Sequence, residues 1–203
     1  MNALIVVDLQ NDFCPGGALA VAQGDQIVPV IDRILAAFDV VVATQDWHPA
    51  NHQSFAANHA GKNVGDMIEL GGRPQILWPV HCVQHTQGAA FHRRFDTSGL
   101  DGAFQKGVDP EIDSYSGFFD NGRGRSTGLA DYLNGRGVDT VYVCGLATDY
   151  CVQATALDAI SLGFETFVIS DACRGVNLAP GDDTRALEAI AAAGGKIVES
   201  AQL

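Results

Sequence analysis

The stretch Ala3-Leu4-Ile5-Val6-Val7-Asp8, an apolar run that ends on a carboxylate, decides the fold class of this chain. Continuous apolar runs, as opposed to alternating ones, are typical of strands in a parallel sheet that is covered on both faces. Runs of the same kind lie at 40–44, 140–144 and 166–170, and a further short strand is predicted at 103–106. We therefore predict that these segments are strands of one buried sheet.

Segments with helical spacing of apolar residues separate these runs, at 27–38, 129–133, 152–162 and 187–193. The alternation predicts an α/β fold with a doubly wound, mostly parallel sheet and helices on both faces. The length of 203 residues predicts a single domain, 1–203, with a long irregular insertion at about 45–102. All six histidines lie in that insertion, and a connection of this length is usually functional.

Charge and hydropathy exclude several classes of partner. The chain has 12 Lys and Arg against 24 Asp and Glu, a formal net charge of −12, and it has no dense basic cluster. This balance argues against nucleic acid binding. No apolar run approaches the roughly 18 residues of a membrane span, and the first run is too short for a signal-peptide core. We expect a soluble, cytoplasmic protein that does not bind membranes, and a homo-oligomer is the commonest association for such a chain.

The five cysteines are an odd number without a CxxC pair, which argues against a disulfide framework and a thiolate zinc site. Cys151 has the strongest case for reactivity. In Thr148-Asp149-Tyr150-Cys151, the first two side chains offer helix-capping oxygens, so the thiol is predicted in the first turn of a helix. There the helix dipole favours the thiolate, and free N–H groups can form an oxyanion hole. Cys144 in its apolar run, and the loop cysteines Cys14, Cys82 and Cys173, are predicted to serve packing.

Reactive side chains follow the predicted strands at one edge of the sheet, where open α/β folds bind their ligands. They are Asp8, Asp46, His48, Lys106 and Cys151. Asp8 is the candidate base for the Cys151 thiol, and a nearby Lys106 would keep this carboxylate ionised. A carboxylate, an ammonium and a thiol suit hydrolysis of an amide through a covalent thioester.

The insertion holds candidate metal ligands. Asp46 and His48 are two residues apart, so in an extended chain both project from one face. His52 and His81 are further candidates, and three ligands with open positions suit one divalent ion, Zn, Fe or Mn. His59, His85 and His92 have no partner at useful spacing and are predicted at the surface.

Six segments resemble a known family. They are Asp8-Leu9-Gln10-Asn11-Asp12-Phe13-Cys14, Asp46-Trp47-His48-Pro49, Trp78-Pro79-Val80-His81-Cys82, Lys106-Gly107, Tyr115-Ser116-Gly117-Phe118, and residues 145–152. In order along the chain, they are similar to segments of the isochorismatase-like cysteine hydrolases. The DWHP and WPVHC segments point, within that superfamily, to the nicotinamidase/pyrazinamidase branch.

The resemblance implies hydrolysis of nicotinamide, and of pyrazinamide, to the acid and ammonia. It implies Asp8 as base, Lys106 as its partner and Cys151 as nucleophile. It also implies a divalent metal on Asp46, His48 and His81, which receives the ring nitrogen. Some members use the histidine that matches His52 as well.

The same resemblance implies how the substrate, a small aromatic amide, is held. The residues implied in ring binding are Phe13, Trp78, Tyr115 and Leu146. The implied oxyanion hole consists of the backbone N–H groups of Ala147 and Cys151, with a cis peptide bond between Leu146 and Ala147. Cis bonds that do not involve proline are rare, so this is a specific expectation.

Two alternatives remain open from the sequence. A metal-independent relative, such as an N-carbamoyl amidase or a ureidoacrylate amidohydrolase, would use the same trio on another amide. A doubly wound module that binds a nucleotide without chemistry is the second. The first strand leads into Asp8-Leu9-Gln10-Asn11, which is not a glycine-rich phosphate-binding turn.

Overall fold

A computed structural model describes all residues, 1–203, and contains eight strands and four α-helices. The strands are β1 (Asn2–Val7), β2 (Val40–Asp46), β3 (Met67–Leu70), β4 (Arg73–Ile76), β5 (Gly102–Lys106), β6 (Thr140–Leu146), β7 (Glu165–Arg174) and β8 (Lys196–Val198). The helices are α1 (Val28–Ile34), α2 (Leu129–Gly135), α3 (Gln153–Ser161) and α4 (Asp182–Ala192).

Six strands form one parallel sheet in the order β5-β2-β1-β6-β7-β8. The chain builds one half outward from β1 through β2 to β5, and then returns to β6 to build the other half. The predicted α/β fold is confirmed. The strand order reverses between β1 and β6, and in open sheets this switch point is where a crevice forms at the carboxyl ends.

The core follows from the apolar run of β1. Each of its residues from Ala3 to Val7 is fully buried, as expected for a strand covered on both faces. β2 is buried along its whole length and extends to Asp46, two residues beyond the predicted strand. It is longer because β5 pairs with it as far as the Asp46–Lys106 neighbours. This pairing sets a carboxylate beside an ammonium at the sheet edge.

The insertion at 45–102 is more ordered than the sequence suggests, because β3 and β4 form a separate antiparallel hairpin within it. Each strand has only four residues, and Pro74 in β4 argues against a strand. The sequence therefore gave no clear signal for this hairpin. One of its side chains, Gln75, reaches the candidate site.

Other helix and strand boundaries also differ from those predicted from the sequence. α1 is flanked by 3₁₀ turns at Gly24–Ile27 and Leu35–Ala37, where one continuous helix was predicted. β7 continues to Arg174, so Cys173 lies in a strand and the prediction of a loop was wrong. All five cysteines are free and buried. None of the helices has the length and apolar character that a membrane crossing requires.

Candidate active site

Asp8 stands directly after β1, in the crevice between the two halves of the sheet. Its φ of 48° is left-handed, a conformation that aspartate tolerates better than most residues. The hydroxyl of Thr44 on β2 donates to Asp8 Oδ1 at 2.7 Å and accepts from the Asp8 N–H at 3.2 Å. The carboxylate is fully buried, so its orientation is fixed by these contacts.

Lys106 ends β5 and lies at the centre of the site. Its buried Nζ donates to Asp46 Oδ1 at 2.5 Å, to the Ser114 carbonyl at 2.9 Å and to Cys151 Sγ at 3.4 Å. These three bonds use all its N–H groups. Asp8 Oδ2 is 2.8 Å from Nζ but accepts no hydrogen bond of its own. The structure thus brings the predicted trio together and leaves one carboxylate oxygen free to take a proton.

Cys151 lies in a π-helical turn, Thr148–Val152, that precedes α3. Cys151 lies in the first helical turn, as predicted, but the predicted capping by Thr148 or Asp149 was wrong, because no side chain caps this turn. The Asp149 carboxylate instead accepts from the N–H groups of Val176 and Asn177, at 2.8 and 2.7 Å. It therefore ties the turn to the loop after β7.

Burial decides the protonation of the thiol. It raises the pKa of Cys151 well above the usual value, and the Lys106 ammonium offsets only part of this effect. The expectation that a helix dipole keeps this group as a thiolate is therefore not met. Burial also raises the pKa of Asp8, again against the opposing effect of Lys106. Cys151 thus rests as a thiol, beside a carboxylate made more basic by its surroundings.

The charge of Lys106 is secured by its neighbours. Burial alone would lower the pKa of this ammonium, but the carboxylates of Asp46 and Asp8 outweigh that effect and raise it well above its usual range. Burial would likewise raise the pKa of Asp46, yet Lys106 and His48 hold it well below its ordinary value. Asp46 and Lys106 therefore form a charged pair, while Asp8 is the carboxylate able to accept a proton.

Asp46, His48 and His81 are buried, and one potential ligand atom from each lies within 4.8 Å of the others. His48 Nδ1 is 2.8 Å from the Gly107 carbonyl and His81 Nδ1 is 2.7 Å from the Pro79 carbonyl. Since a carbonyl can only accept, both Nδ1 atoms carry the proton. Both Nε2 atoms therefore face Asp46 Oδ2, at 3.4 and 3.7 Å. This donor set, with each ring oriented by a carbonyl, fits one divalent ion.

Gly107 is required for this arrangement. It adopts a positive φ of 66°, and a Cβ atom added there would lie 2.4 Å from the His48 ring. Only glycine lets the carbonyl approach the ring closely enough to fix it.

His52 is also buried, with its ring centroid 4.3 Å from that of His48. Its Nδ1 accepts from the Ser54 N–H at 3.2 Å, and the Ser54 hydroxyl is 2.7 Å away. Burial and the neighbouring His48 lower its pKa to about 4, so the ring is neutral and its proton lies on Nε2. Nε2 has no hydrogen-bond partner. In this tautomer His52 is a donor beside the ligands, whereas a ring proton on Nδ1, donated to the Ser54 hydroxyl, would free Nε2 as a ligand. His52 also forms a second group of potential ligand atoms with His48 and Asp113.

The main chain of Asp46 is held by a buried amide that the sequence reasoning did not assign. Gln10 Oε1 accepts from the Asp46 N–H, and Gln10 Nε2 donates to the Asp46 carbonyl, both at 2.8 Å. The same Nε2 donates to the Ala89 carbonyl at 2.8 Å. Gln10 thus acts as an additional strand partner for the last residue of β2.

A pocket lies next to Cys151, and its empty space of about 380 Å³ includes open solvent. Of the predicted ring-binding residues, Phe13, Trp78 and Tyr115 line it, together with Asp46, His81, Ala147 and Cys151. Leu146 does not: its side chain is fully buried in the core and lies against Gly24. The lining residues that the sequence reasoning missed are Leu19, Asp113, Tyr150 and Val176. Tyr150 could have been found from its position next to Cys151, whereas the other three lie in segments without a local pattern.

The peptide bond between Leu146 and Ala147 is cis, as expected. The Ala147 N–H donates no hydrogen bond within the protein, so it is available at the pocket wall. The preceding Gly145 has a φ of 117°, and a Cβ atom there would lie 2.1 Å from the Val7 carbonyl oxygen. The close contact of β6 with β1 therefore requires glycine.

The remaining histidines are outside the pocket. His85 is exposed, and His59 and His92 are half-buried. His59 Nε2 lies 2.7 Å from the Gln53 carbonyl, which is a structural contact.

Comparison with known proteins places the chain among hydrolases. The family model described as the isochorismatase domain matches residues 2–202. A nicotinamidase of Acinetobacter baylyi is 53% identical over 176 residues, which cover 87% of this chain and 82% of that protein. A solved structure of a nicotinamidase and pyrazinamidase of Acinetobacter baumanii superposes with a TM-score of 0.96 at 48% identity, covering 99% of this chain and 97% of that one.

A pyrazinamidase of Pyrococcus horikoshii, solved in complex with zinc, superposes with a TM-score of 0.79 at 42% identity and covers 98% of both chains. The matches extend over nearly the whole sequence. The chain therefore belongs to the isochorismatase family and, within it, to the nicotinamidase/pyrazinamidase branch.

Proposed function

We propose that this protein hydrolyses nicotinamide, and also pyrazinamide, to the carboxylic acid and ammonia through a thioester on Cys151. The contact that carries this proposal is that of Lys106 Nζ, 2.8 Å from Asp8 Oδ2 and 3.4 Å from Cys151 Sγ, beneath an aromatic pocket. The relatives named for this reaction support the choice of substrate.

In the first step, Cys151 forms a covalent bond to the substrate, with Asp8 as the base. Asp8 Oδ2 takes the proton of the thiol as Sγ attacks the carboxamide carbon, and the C=O π electrons move onto oxygen. The N–H groups of Ala147 and Cys151 receive the resulting oxyanion. Lys106 keeps its charge next to Asp8 because the Asp46 carboxylate raises its pKa, and its bonds to Asp46, Ser114 and Sγ fix its position.

Collapse of the tetrahedral adduct breaks the C–N bond, and the nitrogen leaves as ammonia with the proton that Asp8 had accepted. The second half repeats the pattern with water. Asp8 takes a proton from water as its oxygen attacks the thioester carbon, the C–S bond breaks, and Sγ regains the proton from Asp8. The acid product leaves and the thiol is restored.

Asp46, His48 and His81 would hold the divalent ion, since the buried carboxylate and two imidazole Nε2 atoms converge there. When bound, the ion supplies an electrophilic centre for the lone pair of a ring nitrogen. Phe13 and Trp78 on the pocket wall cover the faces of a flat ring and limit access of water. The site draws on residues from Asp8 to Val176, and we propose accordingly that 1–203 acts as one domain.

The test is ammonia release from nicotinamide, compared with release from a ureido acid and repeated after exhaustive chelation. We expect turnover of nicotinamide only, a strong loss on chelation, and recovery when Zn²⁺, Fe²⁺ or Mn²⁺ is returned. Release from the ureido acid with chelation having no effect would instead favour the metal-independent amidohydrolases. Thermal stabilisation by nucleotides, with no ammonia from either amide, would favour a binding module.

A further inference from the structure

The hairpin of β3 and β4 carries one buried polar side chain. Gln75 is 4% exposed, whereas its strand neighbours Arg73 and Pro74 are exposed. A buried amide must find hydrogen-bond partners, and two of the three partners of Gln75 lie outside the hairpin.

The Gln75 amide reaches two side chains of the pocket. Its two Nε2 protons are shared among three acceptors, which are the Ile76 carbonyl at 2.8 Å, Tyr115 Oη at 3.1 Å and Asp113 Oδ2 at 3.1 Å. Trp78 Nε1 donates to the same Tyr115 oxygen at 3.2 Å. The Tyr115 hydroxyl therefore accepts from two N–H donors, one from Gln75 and one from Trp78.

Tyr115 belongs to a group of rings that we call the aromatic wall: Trp78, Tyr115 and Tyr150. All three line the pocket. The Tyr150 ring packs edge-on against Trp78, at a centroid distance of 5.0 Å, and against Tyr115, at 5.6 Å. Trp78 is hydrogen-bonded to the Tyr115 hydroxyl, and Tyr150 packs against both rings. A shift of Tyr115 must therefore move the other two rings.

We propose that Gln75 is a positioning residue that sets the aromatic wall through the Tyr115 hydroxyl and thereby determines affinity for the aromatic ring of the substrate. Gln75 makes no hydrogen bond to Asp8, Lys106 or Cys151. It acts on the ring and not on the reacting atoms, so its influence falls on binding more than on bond breaking. The inference rests on the proposed function, since it takes a flat ring as the ligand.

The decisive variant is Gln75→Met, which keeps the length of the side chain and removes both donors. The Tyr115 hydroxyl and the Asp113 carboxylate then each lose a buried hydrogen-bond donor. The position of the Tyr115 ring in the aromatic wall is therefore less well fixed. We expect KM for nicotinamide to rise about tenfold while kcat changes less than about twofold. Glu69→Met is the matched control on the same hairpin, because Glu69 is exposed, and we expect it to leave both constants unchanged.

A purely structural role predicts a different pattern, since partial unfolding lowers the apparent kcat with the active fraction and leaves KM as it was. A double-mutant cycle with Tyr115→Phe sharpens the test. If Gln75 acts through the hydroxyl, Tyr115→Phe alone raises KM, and adding it to Gln75→Met has little further effect. If Gln75→Met does not fold, Gln75→Leu, which also lacks the donors, carries the same test: a rise in KM at constant kcat supports the role of Gln75, and an unchanged KM refutes it.

The two proposals fail in different ways. Absence of ammonia release by the wild type would refute the proposed function. Normal turnover by the wild type, combined with an unchanged KM in Gln75→Met or with fully additive effects in the cycle, would refute the role of Gln75.

Discussion

At the residue scale, the central feature is one ammonium shared by three acceptors and a neighbouring carboxylate. Lys106 is fully buried among Asp8, Asp46, Ser114 and Cys151. A buried ion pair is strongly destabilised when only one partner is removed, because the remaining charge has no compensation. The lysine therefore matters for stability as well as for the reaction.

Lys106→Met leaves the carboxylates of Asp8 and Asp46 buried without their cation. We expect the free energy of unfolding to fall by about 3 to 5 kcal/mol, from urea denaturation. We also expect kcat to fall at least about a hundredfold, since a preorganised charge beside the reacting groups is lost. Lys196→Met is the control, because Lys196 pairs with Glu165 at the surface and should change stability by less than about 1 kcal/mol. Equal effects of the two variants would contradict this role for Lys106.

The three histidines near Asp46 differ in which ring nitrogen carries the proton. His48 and His81 donate from Nδ1 to carbonyls, whereas His52 accepts at Nδ1 from a backbone N–H. We expect His81→Gln to lose the bound metal and His52→Gln to retain one ion per chain, as measured by metal analysis after dialysis. Loss of metal in both variants to the same extent would show that His52 is a ligand.

At the scale of elements, the ends of strands position the reactive groups, and those ends depend on side chains that replace missing strand partners. Gln10 does this for the last residue of β2, where its amide bonds to both the N–H and the carbonyl of Asp46. The metal ligand is thereby held from its main chain.

Gln10→Glu keeps the acceptor for the Asp46 N–H but removes the donor to the Asp46 and Ala89 carbonyls. Changes in groups that orient a metal ligand weaken metal binding about 10- to 100-fold, and we expect a loss in this range. The measurement is a competition titration with Zn²⁺ and a chelator. Gln26→Glu, at an exposed position, is the control for the added charge. Unchanged Zn²⁺ affinity in Gln10→Glu would refute the positioning role.

The contact of β6 with β1 gives a separate prediction of stability. A methyl group at Gly145 would meet the Val7 carbonyl oxygen at 2.1 Å, and the φ of 117° is unsuited to alanine. We expect Gly145→Ala to destabilise the protein by more than about 2 kcal/mol. Gly135→Ala, in α2 with open space around it, should raise stability by about 0.5 to 1 kcal/mol. Thermal melts of the two variants that moved in the same direction would contradict this account.

Some elements could be predicted from sequence and others could not. The buried strands β1, β2, β6 and β7 could be predicted from their apolar runs. Because parallel strands align their carboxyl ends, Asp8, Asp46, Lys106 and Cys151 could be placed together. The β3–β4 hairpin lacks such a run and contains Pro74. Asp113 and Val176 reach the pocket through long-range packing that no local pattern records.

The same limit explains the errors about Cys151. Thr148 and Asp149 are good capping residues, but Asp149 is engaged with the loop after β7, and the turn is π-helical. The protonation of the thiol depends on burial by distant segments, which the sequence around it does not report.

At the scale of the whole molecule, the strand order brings the residues of the site together. β1, β2 and β5 bring Asp8, Asp46 and Lys106 from one half of the sheet, and the turn after β6 brings Cys151 from the other. The net charge of −12 is carried mostly at the surface, while Asp8 and Asp46 in the crevice are both paired with Lys106. A neutral amide can enter such a site without electrostatic steering.

The measurement that tests the central claim most directly is ammonia release from nicotinamide by wild type, Cys151→Ala and Cys144→Ala, together with nicotinamide binding by each. Cys144 is a fully buried thiol in β6, and its side chain makes no hydrogen bond to the trio. The account predicts that Cys151→Ala binds the amide and releases no ammonia, while Cys144→Ala retains turnover. Ammonia release by Cys151→Ala at a rate near that of the wild type would contradict it.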